Sequence, residues 1–230
     1  VSPHNIPTAT PESRALYGDG RVLQVKYVAI YPKTAFFITT RQMLQKSLTS
    51  LAHEALKTTL RPGCLAIDAT AGNGNDTLYL AQQTGPTGHV FAFDVQQAAI
   101  DATRKLVSRY IDCSPVSLYL TGHEYMKTAL PEEIVGNVRG IMFNLGYLPN
   151  GSKSIITEAQ TTLTALNCAL NFLHNEGILS VICYPGHHGG DLEAKAVIDW
   201  SANLNRESYR VSTIHSRSSH GPVLHLIKYL

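Results

Sequence analysis

The sequence predicts an α/β protein with a seven-stranded, mostly parallel sheet, helices on both faces and a C-terminal antiparallel hairpin. Two patterns in the 230 residues predict this fold. From residue 64 onward, short apolar runs alternate with helical stretches, which is typical of parallel βα units. The last two strand-like runs, Tyr209–His215 and Pro222–Tyr229, are joined by a segment too short for a helical crossover, so they must pair as a hairpin.

The chain divides by composition into an N-terminal arm, residues 1–37, and a main domain, residues 38–230. Residues 1–20 are rich in Pro, Ser, Thr and Gly and predict a loose arm, and Arg21–Tyr31 alternates enough to predict a strand. Apolar residues at positions 43–55 then recur at helical spacing and predict a helix.

Strands and helices alternate through the rest of the main domain. The predicted strands are Cys64–Thr70, His89–Val95, Val116–Gly122, Gly140–Gly146 and Gly177–Tyr184. The predicted helices are Asn75–Thr84, Gln96–Tyr110, Glu124–Leu130, Ser154–His174 and Asp191–Asn203. Together with the terminal hairpin, this order is that of a Rossmann-like class I methyltransferase.

Charge is distributed unevenly along the chain, although the net charge is only +2. Residues 1–63 carry eight basic and three acidic side chains, and the remaining chain carries eleven basic and fourteen acidic ones. A basic N-terminal face could meet phosphates, and an ordinary solvated surface explains it equally well. At 44% hydrophobic residues, the chain can build one good core.

The four cysteines are scattered, without a C-x-x-C pair, and indicate free thiols in a reducing compartment rather than a zinc site or a disulfide framework. No apolar run is long enough to cross a bilayer, and no signal-peptide pattern is present, so no membrane association is expected.

The most informative segment is a glycine loop between the predicted strand Cys64–Thr70 and the predicted helix Asn75–Thr84. Its glycines allow backbone to approach a ligand closely, and the helix start favours an anionic group. Thr77 stands where a dinucleotide fingerprint needs its third glycine, and no Lys lies near to make a P-loop. The loop instead carries the hydrogen-bond acceptors Asn73 and Asn75 and the carboxylates of Asp68 and Asp76. Such groups suit a ligand with an ammonium and a sulfonium, which points to S-adenosylmethionine. The predicted contacts are Asp68, Gly72, Asn73, Gly74, Asn75, Asp76 and Thr77.

Polar residues also end the next two strands, at the edge where ligands bind in such sheets. Asp94 lies 22 residues after Gly72, close to the spacing at which an acid binds a ribose hydroxyl pair, although a helix N-cap would also place an Asp there. Gln96 follows as a further cofactor contact. His123 and Glu124 could flank the adenine edge, and helix capping explains Glu124 nearly as well.

The fourth strand ends in Asn144-Leu-Gly-Tyr147-Leu-Pro149, which is similar to the Asn/Asp-Pro-Pro-Tyr/Phe loop of methyltransferases that act on amino nitrogens. The Asn144 oxygen can accept an N–H bond from an amine, orient its lone pair and stabilise the positive charge that grows on nitrogen. Tyr147 can stack on a base or face that charge. A simple glycine turn is the alternative, and the position beside the glycine loop favours the functional interpretation.

The fifth strand ends in a glycine-rich turn that contains His187 and His188. His187 is predicted to contact substrate or accept a proton. Two neighbouring histidines are too few for a metal centre, so no metal site is predicted. His215, His220 and His225 are interpreted as structural.

These motifs resemble the family of tRNA 5-aminomethyl-2-thiouridine methyltransferases, formerly labelled rRNA methylases, over about residues 40–230. The matching runs are Ala66-Ile-Asp-Ala-Thr-Ala-Gly-Asn-Gly-Asn-Asp-Thr77, Phe93-Asp-Val-Gln96, Phe143-Asn-Leu-Gly-Tyr-Leu-Pro149, Ser152-Lys-Ser-Ile-Ile-Thr157, Thr161-Thr162 and Gly186-His187…Gly189-Gly190. The family usually has Gly-His-Pro where this chain has Gly186-His187-His188, and often an Asn-Pro-Pro-like stretch where it has Ser219-His220-Gly221-Pro222.

The resemblance implies a cytoplasmic enzyme that uses S-adenosylmethionine to methylate the aminomethyl nitrogen on the wobble uridine of tRNA, and it leaves a homodimer open. The implied catalytic residues are Asn144, Tyr147 and His187, and the implied substrate contacts are Leu145, Pro149, Lys153 and Tyr184. The rival interpretations are a methyltransferase for another amine in rRNA or a small molecule, a nicotinamide oxidoreductase, and a non-catalytic binding module.

Overall fold

The computed structural model describes residues 46–111, 115–146, 157–186, 189–216, 218 and 221–230, together with the backbone of residues 13–16 and 22–25. The chain forms two compact units, Val1–Phe36 and Phe37–Leu230. Among the described residues, no helix has the length and apolar character that crossing a membrane requires.

The N-terminal unit contains a short antiparallel hairpin. Strand β1, Ser13–Leu16, pairs with strand β2, Val22–Val25, and Ser13 lies opposite Val25. The prediction that residues 1–20 form a loose arm is therefore wrong at β1. The strand was missed because four residues are too few for alternation to show in the sequence. Strand β2 falls inside the predicted strand Arg21–Tyr31, whose last six residues lie outside the described part.

The second unit contains six helices and seven strands among its described residues. In chain order they are α1 (Leu48–Lys57), β3 (Leu65–Asp68), α2 (Asn75–Thr84), β4 (His89–Asp94), α3 (Gln97–Tyr110), β5 (Val116–Leu120), α4 (Met126–Ala129), β6 (Val138–Asn144), α5 (Ala159–Phe172), β7 (Leu173–Cys183), α6 (Gly190–Ala202), β8 (Tyr209–His215) and β9 (Val223–Tyr229). Two 3-10 turns, His123–Tyr125 and Glu132–Ile134, flank α4.

The seven strands form one sheet in the order β5-β4-β3-β6-β7-β9-β8. Strands β3 to β7 pair in parallel, and β9 runs antiparallel between β7 and β8. The chain moves outward from β3 through β4 to β5, then returns to the other side of β3 with β6. The strand order therefore reverses between β3 and β6, which is where open α/β sheets bind their ligands. The predicted fold class is confirmed.

The core lies on both faces of the parallel strands. Strands β4 and β6 are nearly continuous runs of buried apolar residues, as expected when helices cover both faces of a sheet. Phe93 on β4 and Phe143 on β6 are fully buried, and Phe93 stacks on Tyr119 of β5 at 4.8 Å. Burial of large side chains of this kind contributes about 1.5–3 kcal/mol each.

The largest boundary difference lies between α5 and β7. The sequence predicts a helix to His174 and a strand from Gly177, whereas α5 ends at Phe172 and β7 begins at once with Leu173. The pairing with β6 is irregular here, and Glu176 adopts a left-handed backbone conformation with φ 67°. This irregular segment interrupts the strand pattern, so the sequence indicates only the regular part of β7, from Gly177 onward.

Candidate active site

Three polar residues meet at the carboxyl edge of the central strands. Asp68 ends β3, Asp94 ends β4 and Asn144 ends β6. The parallel register pairs Asp68 with Ala92 and Met142, so Asp94 and Asn144 each extend two residues past it on either side. The sheet thus brings together residues that the sequence separates by up to 76 positions.

The glycine loop folds against β4 and α3. The Ala71 N–H donates to the Phe93 carbonyl at 2.8 Å, and Gly72 and Gly74 take left-handed backbone conformations with φ 52° and 84°. A Cβ on Gly74 would lie 2.7 Å from the Cα atom of Thr103 on α3. Gly74 is therefore required by its backbone angle and by close packing together.

Asp94 holds the loop by its carboxylate. One oxygen accepts the backbone N–H of Gly72 at 2.9 Å, and the other accepts that of Gln96 at 2.9 Å. A carboxylate has about four acceptor positions, so Asp94 keeps capacity for hydroxyl donors from a ligand. Asn73 and Asn75 are exposed beside it.

Asp68 bonds to the glycine loop from the interior of the protein. Its side chain is fully buried, and it accepts the Thr77 hydroxyl at 2.6 Å and the Thr70 N–H at 3.1 Å. Burial, followed by the negative charge of Asp76, raises the pKa of Asp68 to about 7. These bonds make Asp68 an internal brace of the loop that carries Gly72.

Asn144 is fixed by both its backbone and its side chain. Its N–H donates to the Thr70 hydroxyl at 2.7 Å, and its Nδ2 donates to the Asp76 Oδ2 at 3.3 Å. The other oxygen of Asp76 lies 2.7 Å from the Nε2 of His53 on α1. The predicted catalytic amide is therefore connected to a histidine 91 positions earlier in the chain.

Helix α1 borders the site, which the sequence did not indicate. The His53 ring stacks on Tyr79 of α2 with centroids 3.7 Å apart and planes 2° from parallel, and the Tyr79 hydroxyl donates to the His53 carbonyl at 2.5 Å. Tyr184, at the end of β7, bonds to the side chain of Thr49, and burial raises its pKa. The sequence indicates His53 only as a polar residue of an amphipathic helix, next to the buried Ala52. That pattern does not distinguish a site residue from an ordinary surface residue.

Gly146, two residues after Asn144, is bonded to Thr157. The Gly146 N–H donates to the Thr157 hydroxyl at 2.8 Å, and the Thr157 N–H donates to the Gly146 carbonyl at 3.0 Å. Thr157 in turn donates to the buried Glu193 of α6 at 2.8 Å, and Glu193 also accepts the Thr162 hydroxyl at 2.6 Å. The same helix start holds the turn after β7, where the Gly186 N–H donates to Asp191.

Three predicted contacts have side chains turned to other partners. His123 is buried, bonds to the Ala69 carbonyl at 3.2 Å and has its pKa lowered by burial. The Glu124 carboxylate folds back over Gly122. Leu145 is a core residue whose N–H donates to the Ile182 carbonyl. A contact by Leu145 with substrate can therefore involve only its backbone carbonyl.

Some predicted site residues lie outside the described part of the chain: Tyr147, Pro149, Lys153 and His187. Their roles stay predictions, as do any phosphate contacts by the basic residues of positions 1–63.

Comparison with known proteins gives consistent matches. The family model described as "Putative rRNA methylase" matches residues 90–228, which is more than half of the chain. The chain is 38% identical over 168 residues to a protein of Arabidopsis thaliana named tRNA (mnm(5)s(2)U34)-methyltransferase, chloroplastic. The aligned segment covers 70% of this chain and 61% of the Arabidopsis protein, so the chain spans less than two thirds of that relative.

Two solved structures are similar over nearly their whole length. A "putative rRNA-methylase" from Clostridium thermocellum is 33% identical with a TM-score of 0.76, and the match covers 80% of this chain and 98% of that one. A "putative methyltransferase" from Streptococcus mutans, in complex with SAH (S-adenosylhomocysteine), is 34% identical with a TM-score of 0.71, and the match covers 80% and 99%. The predicted family resemblance is confirmed, and the chain belongs to the rRNA methylase family that the matching model describes.

Proposed function

We propose that this protein is an S-adenosylmethionine-dependent N-methyltransferase that acts on the aminomethyl group of the wobble uridine in tRNA. The product would be 5-methylaminomethyl-2-thiouridine. The observation that carries the proposal is the position of Asn144, at the strand-order reversal and beside the glycine loop, with its amide nitrogen bound to Asp76. The tRNA substrate is supported by the name and the 38% identity of the Arabidopsis relative.

The cofactor fits the groups at this edge. Gly72 takes a left-handed backbone conformation and has no side chain, so the loop can approach a ligand closely there, and the Asp94 carboxylate has acceptor capacity left for ribose hydroxyls. S-adenosylmethionine supplies the methyl group when bound. The residues that would line or brace its site are Asp68, Gly72, Asn73, Gly74, Asn75, Asp76, Thr77, Asp94, Gln96, His123 and Glu124.

The role of Asn144 follows from its bonds. Because its Nδ2 donates to Asp76, its Oδ1 is left to accept an N–H from an amine. That bond directs the nitrogen lone pair and stabilises the positive charge that forms as nitrogen gains a methyl group. Tyr147 and His187 are proposed to assist, and Leu145, Pro149, Lys153 and Tyr184 to contact the tRNA.

The location and assembly of the protein stay predictions. The family resemblance implies the cytoplasm, whereas the Arabidopsis relative is named chloroplastic, and tRNA is present in both compartments. A homodimer is likewise a prediction from the resemblance.

The test is transfer of labelled methyl groups to purified RNA classes. Wild-type protein should methylate tRNA that carries 5-aminomethyl-2-thiouridine and leave matched tRNA without that amine unlabelled. Labelling of rRNA instead would favour the activity that the family description names. Absence of labelling in every RNA, with SAH binding retained, would overturn the proposal.

A further inference from the structure

Three side chains from three elements form one hydrogen-bonded row. His53 of α1 lies 2.7 Å from the Asp76 Oδ1, and the Asp76 Oδ2 lies 3.3 Å from the Asn144 Nδ2. Asp76 is buried in the first turn of α2, and both of its oxygens are used within this row. Such a row allows His53 to restrict the orientation of the Asn144 amide group.

The chemistry of the central residue fixes the orientation of its neighbours. A carboxylate only accepts hydrogen bonds, so Asn144 must present its NH₂ group to Asp76 and His53 must present its Nε2–H. The amide oxygen of Asn144 then points away from Asp76.

His53 is itself held firmly. Its ring is stacked within 2° of parallel on Tyr79, and the Tyr79 hydroxyl bonds to its backbone carbonyl. Helix α1 also buries Leu51 and Ala52 in the core, which fixes the helix against the sheet. The donor end of the row is therefore preorganised before any substrate binds.

We propose that His53 and Asp76 are positioning residues that lock the Asn144 amide with its oxygen turned to the substrate amine. This inference rests on the proposed methyl transfer, and it assigns Asp76 to the amide rather than to direct binding of the cofactor. Without the row, the Asn144 amide can rotate and present NH₂ to the amine, which repels the amine N–H and leaves the lone pair misdirected.

The variants separate the donor from the ring. His53→Phe keeps an aromatic ring against Tyr79 and removes the N–H, whereas His53→Gln loses the ring and supplies an amide donor in its place. Asp76→Asn keeps the size of the side chain but can both donate and accept, so it no longer dictates the orientation of Asn144. His89→Phe is the matched control, because His89 begins β4 at the end opposite Asp94 and bonds to the Ser117 hydroxyl.

We expect His53→Phe and Asp76→Asn to lower kcat roughly tenfold to a hundredfold, the factor that one hydrogen bond to a charged group contributes. KM for tRNA and the affinity for SAH should stay near wild type, because neither variant removes a binding group. His53→Gln should recover much of kcat, and His89→Phe should keep wild-type kcat. Equal kcat in His53→Phe and wild type, or loss of SAH affinity in Asp76→Asn, would overturn the inference.

A second readout does not depend on activity. In NMR spectra of the SAH complex, the Asn144 side-chain NH₂ should be shifted and protected from exchange in wild type and His53→Gln, and should lose both features in His53→Phe. An unchanged NH₂ signal in His53→Phe would overturn the inference even if wild type methylates tRNA. If wild type methylates no RNA, the proposed function fails, and this signal still decides the role of His53.

Discussion

The Asp94 carboxylate lies 2.9 Å from the backbone nitrogen of Gly72, 22 positions earlier in the chain. The acid at the end of one strand therefore shapes the glycine loop at the end of its neighbour. Its second oxygen accepts the Gln96 N–H at the start of α3, so one side chain connects two segments that would border the cofactor. Loss of this acid should disturb the loop as well as any bond to the ribose.

Asp94→Ala should weaken SAH binding strongly. A hydrogen bond to a charged acceptor contributes roughly 1.5–3 kcal/mol, which is about tenfold to more than a hundredfold in affinity. Calorimetry with SAH measures the effect. Asp101→Ala is the control, because Asp101 is exposed on α3 and bonds only to Gln97 and Arg104 of the same helix among the contacts described. Unchanged affinity in a folded Asp94→Ala protein would remove Asp94 from the site.

Gly74→Ala should destabilise the protein more than Gly136→Ala. Both glycines have left-handed backbone angles, φ 84° and 72°, so both substitutions incur strain of about 1–2 kcal/mol. A Cβ at Gly74 would also meet the Thr103 backbone, whereas nothing lies within 4 Å of one at Gly136. Overpacking of that kind costs roughly 1–3 kcal/mol more. Urea unfolding measures both, and equal losses would contradict the close packing of loop and helix.

Thr157→Val should lower kcat, whereas Thr162→Val should lower only stability. Both hydroxyls donate to Glu193, and only Thr157 also accepts the Gly146 N–H that closes the segment after Asn144. Each change leaves a buried acceptor short of one donor, at a cost of about 1–3 kcal/mol. Kinetics and urea unfolding on the pair decide the matter. A similar kcat for the two variants would mean that the bonds between Thr157 and Gly146 do not position Asn144.

The contribution of His225 to stability should fall as the pH is lowered from 6.5 towards 4, against the opposite contribution of Asp68, whose pKa is raised to about 7. His225 of β9 is buried between Ser201 and Thr213, and burial, followed by the nearby His215, lowers its pKa from 6.5 to about 4. In this interval the unfolded chain binds a proton at His225 and the folded protein does not, so the free energy of unfolding decreases by about 1.4 kcal/mol per pH unit at most.

His225→Leu should remove this contribution, so the free energy of unfolding of the variant relative to wild type should increase as the pH falls through the interval, whatever the effect at neutral pH. His215→Gln, which changes an exposed histidine of the neighbouring strand, should leave most of the slope in place. Urea unfolding midpoints across the interval provide the comparison. A difference between His225→Leu and wild type that stays constant across the interval would assign the proton uptake to another group.

The sequence predicted the regular elements of the main domain closely because their periodicity is strong. Helix α2 and strand β8 have the predicted bounds, and the other core strands differ mainly at their ends. The short hairpin strand β1 and the first residues of β7 were missed. Four residues carry too little alternation, and an irregular segment around Glu176 interrupts the pattern of β7.

The candidate site could be inferred from the sequence only in part, for a physical reason. Motifs such as the glycine loop and the run from Asn144 are local in sequence, so they can be recognised without coordinates. His53 acts through a contact with Asp76 across 23 positions and belongs to a helix whose pattern reveals only its buried face. Whether Asp76 faces the cofactor or Asn144 depends on a side-chain direction that residue spacing does not determine.

The most direct test of the central claim is nucleoside mass spectrometry of tRNA that carries 5-aminomethyl-2-thiouridine, incubated with S-adenosylmethionine and the protein. Wild type should convert that nucleoside to its N-methyl form, and Asn144→Ala should lose most of the conversion while binding SAH with little change, because Asn144 is proposed to act on the amine. Unmethylated tRNA after incubation with wild type that binds SAH would contradict the account.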